Sequence, residues 1–478
     1  MVGMTPPPGP SAPQLARLLT GWRSDGTSAR ALAERIGVLL EDGRLSAGRR
    51  LPAERVLAAE LGVSRTTVTA AYGLLRDRGR LVSLQGSGSA LALGAAPGDP
   101  GGGAPAVADL SKAIPPAWPA LPEYVAVAAA RLPEVLDAAT LDYAGLTELR
   151  EGLAARYTDR GLPTGPDHVL VTNGAQHGIG LVLHALLHRA DRVVVDVPSY
   201  PHALDAFRAA GARTVPLAMP DARPDVAEWE RVLARTRPEF AYLMPDFHNP
   251  TGSSLDEEER RRILRAAGAA GTVLIVDETS AELAIDPAAP HPPFAALAVG
   301  TGARVVTVGS VNKTVWHGLR IGWVRADPRT VAAIAAARPA RDLGTPVLDQ
   351  LVVAALLPDV QRVLADRAVQ LRATRAAVLD RLRADLPDWR VPVPSGGLSI
   401  WAGLPEARSS LLVPAAAAVG VRIVAGPRFG VDGAFERNLR IPIGGAPAAT
   451  AAAVGLLAEA WRRTAAGLHV PEAFAPVL

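Results

Sequence analysis

The pattern of apolar and polar residues is most regular between residues 165 and 326. Apolar runs rich in β-branched residues recur there, and most are separated by amphipathic stretches long enough for a helix. Strands that alternate with crossover helices form a mainly parallel sheet covered by helices. We therefore predict an α/β fold whose strands lie at HVLVTN (168–173), RVVVDVP (192–198), EFAYLMP (239–245), TVLIVDE (272–278) and RVVTVGS (304–310).

The rest of the chain divides into a head, a linker and a second part of the body. Residues 93–108 are rich in Gly, Ala and Pro without a hydrophobic period, which predicts a linker. A helical, Ala-rich pattern after about residue 345 indicates a smaller α+β domain. We predict a head at 1–92 and a body at 109–478, with a large domain at about 150–340 and a small domain formed by the rest.

The head shows three helices followed by a short hairpin. The first helix covers roughly 28–42, the second covers 54–61, and Ser64 is a favourable N-cap for the third. Arg65, Thr66 and Thr69 point outward at the start of the third helix, where a recognition helix meets the major groove. The opposite face is buried because apolar residues recur at helical spacing; they are Val68, Ala71, Tyr72 and Leu75.

Composition narrows the possible chemistry of the 478 residues. There is no cysteine, which excludes disulfides, thiolate metal sites and a cysteine nucleophile, and no metal site is predicted. The start lacks the regions of a secretory signal, and no segment reaches the ~18 apolar residues that cross a bilayer. We therefore expect a cytoplasmic protein.

Charge separates the head from the body. Residues 1–92 hold 12 Arg against 7 Asp and Glu, a net of +5, whereas the remainder holds 38 Lys and Arg against 40 Asp and Glu, a net of −2. A basic head suggests a polyanionic partner such as double-stranded DNA. Arginines that merely solvate helix faces give the same asymmetry.

Lysine is almost absent, which makes its two positions informative. Only Lys112 and Lys313 occur among the 50 Lys and Arg residues. Arginine stays protonated, whereas lysine can lose its proton and condense with a carbonyl. Other residues that could bind a ligand through a polar side chain or a backbone N–H lie with Lys313 at the predicted carboxyl ends of strands, where ligands of open parallel sheets bind; they are Gly174, Ala175, Gln176, Tyr200, His248, Asn249, Asp277 and Ser310.

This set of residues suits pyridoxal 5'-phosphate. A deprotonated Lys313 would form an aldimine with the aldehyde, and Asp277 would pair with the ring nitrogen. Asn249 would hydrogen-bond the ring oxygen, and Tyr200 would cover one face. The phosphate would be bound by Gly174, Ala175, Gln176, Ser310 and Arg320. Each residue alone also has an ordinary structural interpretation, such as a solvated lysine or a strand-end cap.

The body resembles the fold type I pyridoxal-phosphate enzymes of the aminotransferase class I/II group over roughly residues 110–465. The resemblance implies that Lys313 is the Schiff-base and catalytic lysine, Asp277 the pyridine partner and Asn249 the O3′ contact. It also implies that Arg320 binds phosphate and that Arg440, in NLRIPIG (438–444), holds a ligand carboxylate.

One position departs from that family. Its members usually carry a tyrosine two or three residues after the aspartate, where this chain has Thr279 and Ser280. A hydroxyl at either place would substitute only weakly for the phenol. Cofactor binding is therefore expected, whereas rapid turnover is not.

The head is similar to the winged helix of the GntR family, with LPAER, VSRTTV, AY and the GSG wing in order. The whole chain thus resembles the MocR subfamily, which implies a homodimer that senses pyridoxal phosphate or an amino compound through an aldimine and controls DNA binding. An active aminotransferase with a DNA-binding head, and a relic body that only dimerises the head, are the alternatives. The resemblance implies DNA contacts by Arg55, Ser64, Arg65, Thr66, Thr67, Gly86 and Gly88.

Overall fold

The structure, a computed structural model, divides the described residues into two compact units. Unit 1 joins residues 1–111 with 404–439 and 456–478, and unit 2 holds 112–403 and 440–455. No described helix is long and apolar enough to cross a membrane. The described residues are 9–19, 22, 29–41, 44–45, 48–84, 88–92, 108–136, 142–286, 291–431 and 433–465.

Helices and strands alternate along most of the described chain. The helices are α1 (Ala12–Leu18), α2 (Ala29–Glu41), α3 (Glu54–Leu61), α4 (Arg65–Asp77), α5 (Leu121–Arg131), α6 (Pro133–Leu136), α7 (Thr147–Asp159), α8 (Ala175–Leu186), α9 (Pro201–Ala209), α10 (Val226–Thr236), α11 (Glu257–Ala270), α12 (Pro328–Ala337), α13 (Val347–Leu356), α14 (Val360–Asp385), α15 (Ser409–Ala418) and α16 (Pro447–Ala465). The strands are β1 (Leu81–Leu84), β2 (Gly88–Leu91), β3 (Ala108–Asp109), β4 (Val169–Thr172), β5 (Arg192–Val197), β6 (Arg213–Ala218), β7 (Phe240–Leu243), β8 (Val273–Asp277), β9 (Arg304–Ser310), β10 (Gly322–Arg325), β11 (Ser399–Gly403), β12 (Val421–Arg422) and β13 (Asn438–Pro442).

Unit 2 is built on a seven-stranded sheet in the order β4-β10-β9-β8-β7-β5-β6. Strands β5 to β9 run parallel to one another, and β10 runs antiparallel to both β9 and β4. The five predicted strands are confirmed as β4, β5, β7, β8 and β9. Because β4 and β9 both oppose β10, all five share one direction, and their carboxyl ends meet at one edge of the sheet.

Two strands of the seven-stranded sheet were not predicted, and each has a physical reason. β6 contains Pro216 and is mostly part-exposed, which an edge strand tolerates because one side of its backbone needs no ladder partner. β10 is only four residues long and returns after a short loop, pairing Gly322 with Ser310. Antiparallel neighbours need no crossover helix, so β10 lacks the helical segment that marks the other strands.

The head of unit 1 forms the three predicted helices, as α2, α3 and α4, and the two wing strands; α1 was not predicted. α3 ends at Gly62, whose φ of +62° places it in the left-handed region that favours glycine. Ser64 then caps α4 by accepting a hydrogen bond from the Thr67 backbone N–H at 3.1 Å. The Tyr72 hydroxyl donates to the Pro52 carbonyl at 2.9 Å, which fixes α4 against the segment before α3. The predicted buried face of α4 is confirmed.

The wing strands follow α4 directly. β1 and β2 pair antiparallel, with Leu81 opposite Leu91, and Arg76 on α4 donates to the Ser89 hydroxyl at 2.9 Å. Residues 93–107 of the predicted linker, and the tip glycine Gly86, lie outside the described residues. The α/β body and the amino-terminal winged helix together confirm the predicted fold class.

Candidate cofactor site and DNA-binding head

Lys313 lies just beyond the carboxyl end of β9. Its Nζ donates a hydrogen bond to the Ala113 carbonyl at 2.9 Å. Burial, reinforced by the nearby Arg440 and Arg320 guanidinium groups, lowers the pKa of Lys313 to about 8. An amine with that pKa is partly neutral near physiological pH, so it can attack a carbonyl.

Asp277 ends β8 and is buried, with an exposed fraction of 2%. Burial raises the pKa of its carboxyl group, while its hydrogen-bond donors and Lys313 oppose that rise. The electrostatic interaction between Asp277 and Lys313 shows that the structure brings these two predicted residues together. A buried carboxylate of this kind needs a positively charged partner, which a protonated ring nitrogen supplies.

Three donors hold the Asp277 carboxylate, and none of these hydrogen bonds was predicted. Thr279 donates its backbone N–H and its hydroxyl to Oδ1, at 3.0 and 2.7 Å. The fully buried Tyr242 donates its hydroxyl to Oδ2 at 2.9 Å. The Thr279 hydroxyl therefore serves Asp277 in this structure. The sequence contained a hint of this role for Tyr242, because it places a phenol inside an otherwise apolar strand and a buried tyrosine hydroxyl needs a hydrogen-bond partner.

The turn between β4 and α8 forms an anion cradle. Gly174 has a φ of +85°, and a Cβ at this position would lie 2.6 Å from Arg320 Nη2. Arg320 Nη2 in turn donates to the Asn173 carbonyl at 2.9 Å. The Ala175 and Gln176 N–H groups belong to the first turn of α8, where amides lack intrahelical acceptors. Together with the guanidinium, this geometry suits a phosphate dianion.

Several buried amide oxygens around the site lack a hydrogen-bond partner in the described part of the chain. They are Asn173 Oδ1, Gln176 Oε1, Asn249 Oδ1 and Asn312 Oδ1. A buried polar atom without a partner costs about 1–3 kcal/mol, so such atoms are expected where a polar ligand supplies the missing contacts. With Lys313, Asp277 and the cradle at Gly174, these residues fit pyridoxal phosphate.

The remaining predicted residues differ in whether their contacts connect them to Lys313 and Asp277. Tyr200 precedes α9 and interacts electrostatically with Tyr242, which places it near Asp277. The Ser310 hydroxyl donates to the Ile321 carbonyl at 2.8 Å and accepts from the Asn312 N–H. His248 is buried against Thr251, and burial lowers its pKa to about 3, so it is neutral and structural.

The recognition surface of the head is exposed where the sequence predicts it. Arg55, Ser64, Arg65 and Thr66 are exposed, and the Ser64 hydroxyl is hydrogen-bonded to the hydroxyls of Thr66 and Thr67 in the N-cap of α4. The Thr69 hydroxyl donates to Glu54 at 2.7 Å, which ties α4 to α3. The exposed set places an arginine at the start of α4, where a side chain can reach base edges.

Arg65→Ala is expected to weaken binding to a specific operator by about 1–3 kcal/mol, because a bidentate contact to guanine is lost. Titrations of operator and random DNA, followed by fluorescence anisotropy, measure the difference. Arg462→Ala removes one exposed charge from α16 and is the matched control. An equal loss on operator and random DNA would instead identify Arg65 as a phosphate contact.

A second cluster of charges ties the head to the C-terminal segments of unit 1. Arg35 on α2 donates to Glu436 Oε1 at 2.7 Å, and Arg44 donates to the Ser410 hydroxyl at 2.9 Å. Ser410 gives its N–H and hydroxyl to the same carboxylate, at 2.9 and 2.7 Å. We call Arg35, Arg44, Ser410 and Glu436 the head clasp. Glu436 is its shared acceptor.

Glu436→Gln is expected to destabilise unit 1 by roughly 3 kcal/mol, because it removes the carboxylate that forms an ion pair with the buried Arg35 guanidinium. Glu34→Gln on α2 is the matched control, since the Arg30–Glu34 pair is solvent-exposed and is worth less than about 1 kcal/mol. Urea unfolding measures both variants. Similar small losses in the two variants would contradict the importance of the head clasp.

The stability that Glu436 provides should also depend on pH. Burial alone raises its pKa, but Arg35 and the Ser410 donors outweigh burial and hold the pKa of Glu436 below the ordinary 4.5. The contribution is therefore present above that value and is lost as pH falls through the depressed pKa. The difference in unfolding free energy between the wild type and Glu436→Gln should shrink in that acid range.

Comparison with known proteins agrees with this geometry. Residues 117–457 match the family model of aminotransferase class I and II, and residues 28–91 match that of bacterial regulatory proteins, gntR family. The 2-aminoadipate transaminase of Thermus thermophilus is 33% identical over 280 residues, which are 58% of this chain and 70% of that protein.

A transcriptional regulator aligns with most of the chain. The HTH-type transcriptional regulator YisV of Bacillus subtilis is 26% identical over 425 residues, 80% of this chain and 86% of that protein. Among solved structures, LysN, an alpha-aminoadipate aminotransferase of Thermus thermophilus, has a TM-score of 0.69 at 30% identity, covering 75% of this chain and 92% of LysN. The aminotransferase class I and II fold, which this chain shares, implies dependence on pyridoxal phosphate. The chain therefore belongs to the aminotransferase class I and II family and, with its gntR-type head, has the domain composition of the MocR-type transcription regulators.

Proposed function

We propose that this regulator binds pyridoxal phosphate at Lys313 and that the cofactor, or an amino compound reacting with it, changes the affinity of the head for DNA. The observation that carries the proposal is a buried amine of lowered pKa facing Asp277, in a chain that also presents an exposed recognition helix. A body that only dimerised the head would not need that amine. The bound cofactor would supply an aldehyde and an electron-withdrawing ring.

The residues of this chain would divide the work of binding. Lys313 provides the neutral amine, and its proton leaves to solvent as the pKa of about 8 permits. Asp277, fixed by Thr279 and Tyr242, would keep the ring nitrogen protonated. Arg440 would orient the carboxylate of an amino compound, since its guanidinium lies close enough to Lys313 to lower the pKa of that amine.

Chain connectivity supports coupling between ligand and head. Glu436 of the head clasp is four residues before Arg440, and β13 contains the residues between them from Asn438 onward. A ligand that moves Arg440 therefore acts on the same short segment that anchors α2 through Arg35. Such coupling requires that the ligand have different affinities for two arrangements of the head.

A footprint on the DNA upstream of the protein's own gene tests this function. The purified chain should protect a discrete site, and the extent of protection at a fixed concentration should change when pyridoxal phosphate is added. Protection without any cofactor response would favour a body that only dimerises the head. No protection at any concentration, with keto acid formed from an amino donor, would favour the active aminotransferase.

A further inference from the structure

His177 lies in the first turn of α8, next to the anion cradle, and has been given no role so far. His177 Nδ1 lies 2.9 Å from the Asn173 backbone nitrogen, and its Nε2 lies 2.9 Å from Asp342 Oδ2. Asn173 immediately precedes Gly174, the residue whose positive φ shapes the turn. His177 thus contacts the backbone of the turn.

The hydrogen bonds fix which nitrogen of the ring carries the proton. A backbone N–H can only donate, so Nδ1 must present a lone pair to Asn173, and Nε2 must donate to the Asp342 carboxylate. Asp342 is itself held by Arg338 Nε at 2.8 Å and by the Gly344 N–H at 2.9 Å. Arg338 is fully buried, so the acceptor for His177 has a rigid support.

The backbone of Asn173 is also held by hydrogen bonds besides the one to His177. The Asn173 carbonyl accepts the hydrogen bond from Arg320, while the Thr172 hydroxyl donates to the Gly174 carbonyl at 2.9 Å. The N–H of Asn173 is the remaining polar backbone group of that residue, and His177 is its acceptor. Without an acceptor, this N–H would destabilise the conformation that aims the turn at an anion.

We propose that His177 is a positioning residue for the phosphate-binding turn, holding Asn173 through a neutral imidazole whose proton is directed to Asp342. The inference rests on the proposed binding of pyridoxal phosphate. His177 itself does not touch the phosphate. It holds the backbone of Asn173, which is next to Gly174 and accepts the hydrogen bond from Arg320. His177 would therefore orient the groups that contact the phosphate without contacting it.

A neutral imidazole makes the turn sensitive to acid. Burial lowers the pKa of His177, and Arg338 and Arg320 also lower it, whereas Asp342 raises it. These are the charged groups that face the ring. A proton on Nδ1 removes the lone pair that Asn173 needs, so the affinity for the phosphate should be present above the depressed pKa and lost as pH falls through it.

Two substitutions separate positioning from folding. His177→Asn places an amide oxygen near the position of Nδ1, so it keeps an acceptor for Asn173 but cannot titrate. His177→Leu removes the acceptor. His184→Leu is the matched control, because His184 lies on the same helix, is exposed and contacts Arg341 rather than the turn. Thermal unfolding of each full-length variant reports whether the fold is kept.

The test is a titration with pyridoxal phosphate, followed by absorbance, across the pH range from neutral to acid. His177→Leu should bind about tenfold more weakly or worse at neutral pH, whereas His177→Asn and His184→Leu should stay within about threefold of the wild type. The phosphate and Lys313 titrate in every variant. The ratio of the wild-type and His177→Asn dissociation constants therefore isolates His177, and this ratio should rise as pH falls.

The outcomes distinguish this inference from the proposed function. A wild-type chain that binds no pyridoxal phosphate would overturn both. A wild-type chain that binds, with His177→Leu binding equally well, would overturn the role of His177 alone. If His177→Leu does not fold, the comparison with His177→Asn still decides, and a ratio that stays constant with pH would contradict the neutral imidazole.

Discussion

Lys313→Ala is expected to abolish covalent attachment of pyridoxal phosphate. The wild type, mixed with the cofactor and reduced with borohydride, should carry one stable label, and peptide mapping should place it on residue 313. The reason is that the Lys313 amine is the buried one, with a pKa lowered to about 8, and it lies close to Asp277. No other side chain type in this cysteine-free chain combines a free amine with the ability to deprotonate.

Lys112 provides a matched control for that experiment. It is the one other lysine of the sequence, and it is exposed. Lys112→Ala should keep the label and its absorption band, and Lys313→Arg should lose both although it keeps the positive charge. The rate of attachment in the wild type should rise with pH and level off above about 8. A label that survives in Lys313→Ala would show that the site is wrongly assigned.

The wild-type protein is expected to show almost no transamination. With an amino acid as donor, the protein should change its absorption spectrum but release keto acid far more slowly than about 1 per second, a typical enzyme rate. The position of the family's tyrosine is occupied by Thr279 or Ser280, and the Thr279 hydroxyl donates to Asp277. No phenol from this segment is therefore available to adjust protonation next to Lys313.

Slow turnover also suits a sensor. A ligand that persists keeps the population of head arrangements shifted, whereas a consumed ligand releases it. Coupled assays for keto acid, with an established transaminase run in parallel, measure the rate. Steady release at about 1 per second or faster would favour the alternative, an active aminotransferase that carries a DNA-binding head.

The sequence predicted the strands that obey a simple rule and missed those that do not. The five predicted strands are continuous apolar runs because both faces of the sheet are buried. β6 was missed because it contains Pro216, which an edge strand tolerates but which argues against a strand in the sequence. β10 was missed because it is short and antiparallel. Local pattern identifies buried strands well, but it does not show which neighbour a short strand pairs with.

The site residues divide in a similar way. Lys313 and Asp277 were predictable because their chemistry contrasts with the apolar strands that precede them. Tyr242 and His177 were missed because their importance comes from partners distant in sequence, Asp277 and Asp342. Neither contact follows from spacing along one helix or strand. The head clasp likewise joins Arg35 to a residue 401 positions away.

We propose that the state of Lys313 controls the head, and a titration of operator DNA measures this control. The full-length wild type, Lys313→Ala and Lys112→Ala would each be titrated with the footprinted operator, with and without saturating pyridoxal phosphate. We predict that operator affinity changes with the cofactor by about 5-fold or more in the wild type and in Lys112→Ala, and by reciprocity that cofactor affinity changes equally with DNA. In Lys313→Ala the response should disappear. Identical operator affinities with and without pyridoxal phosphate in the wild type would contradict the account.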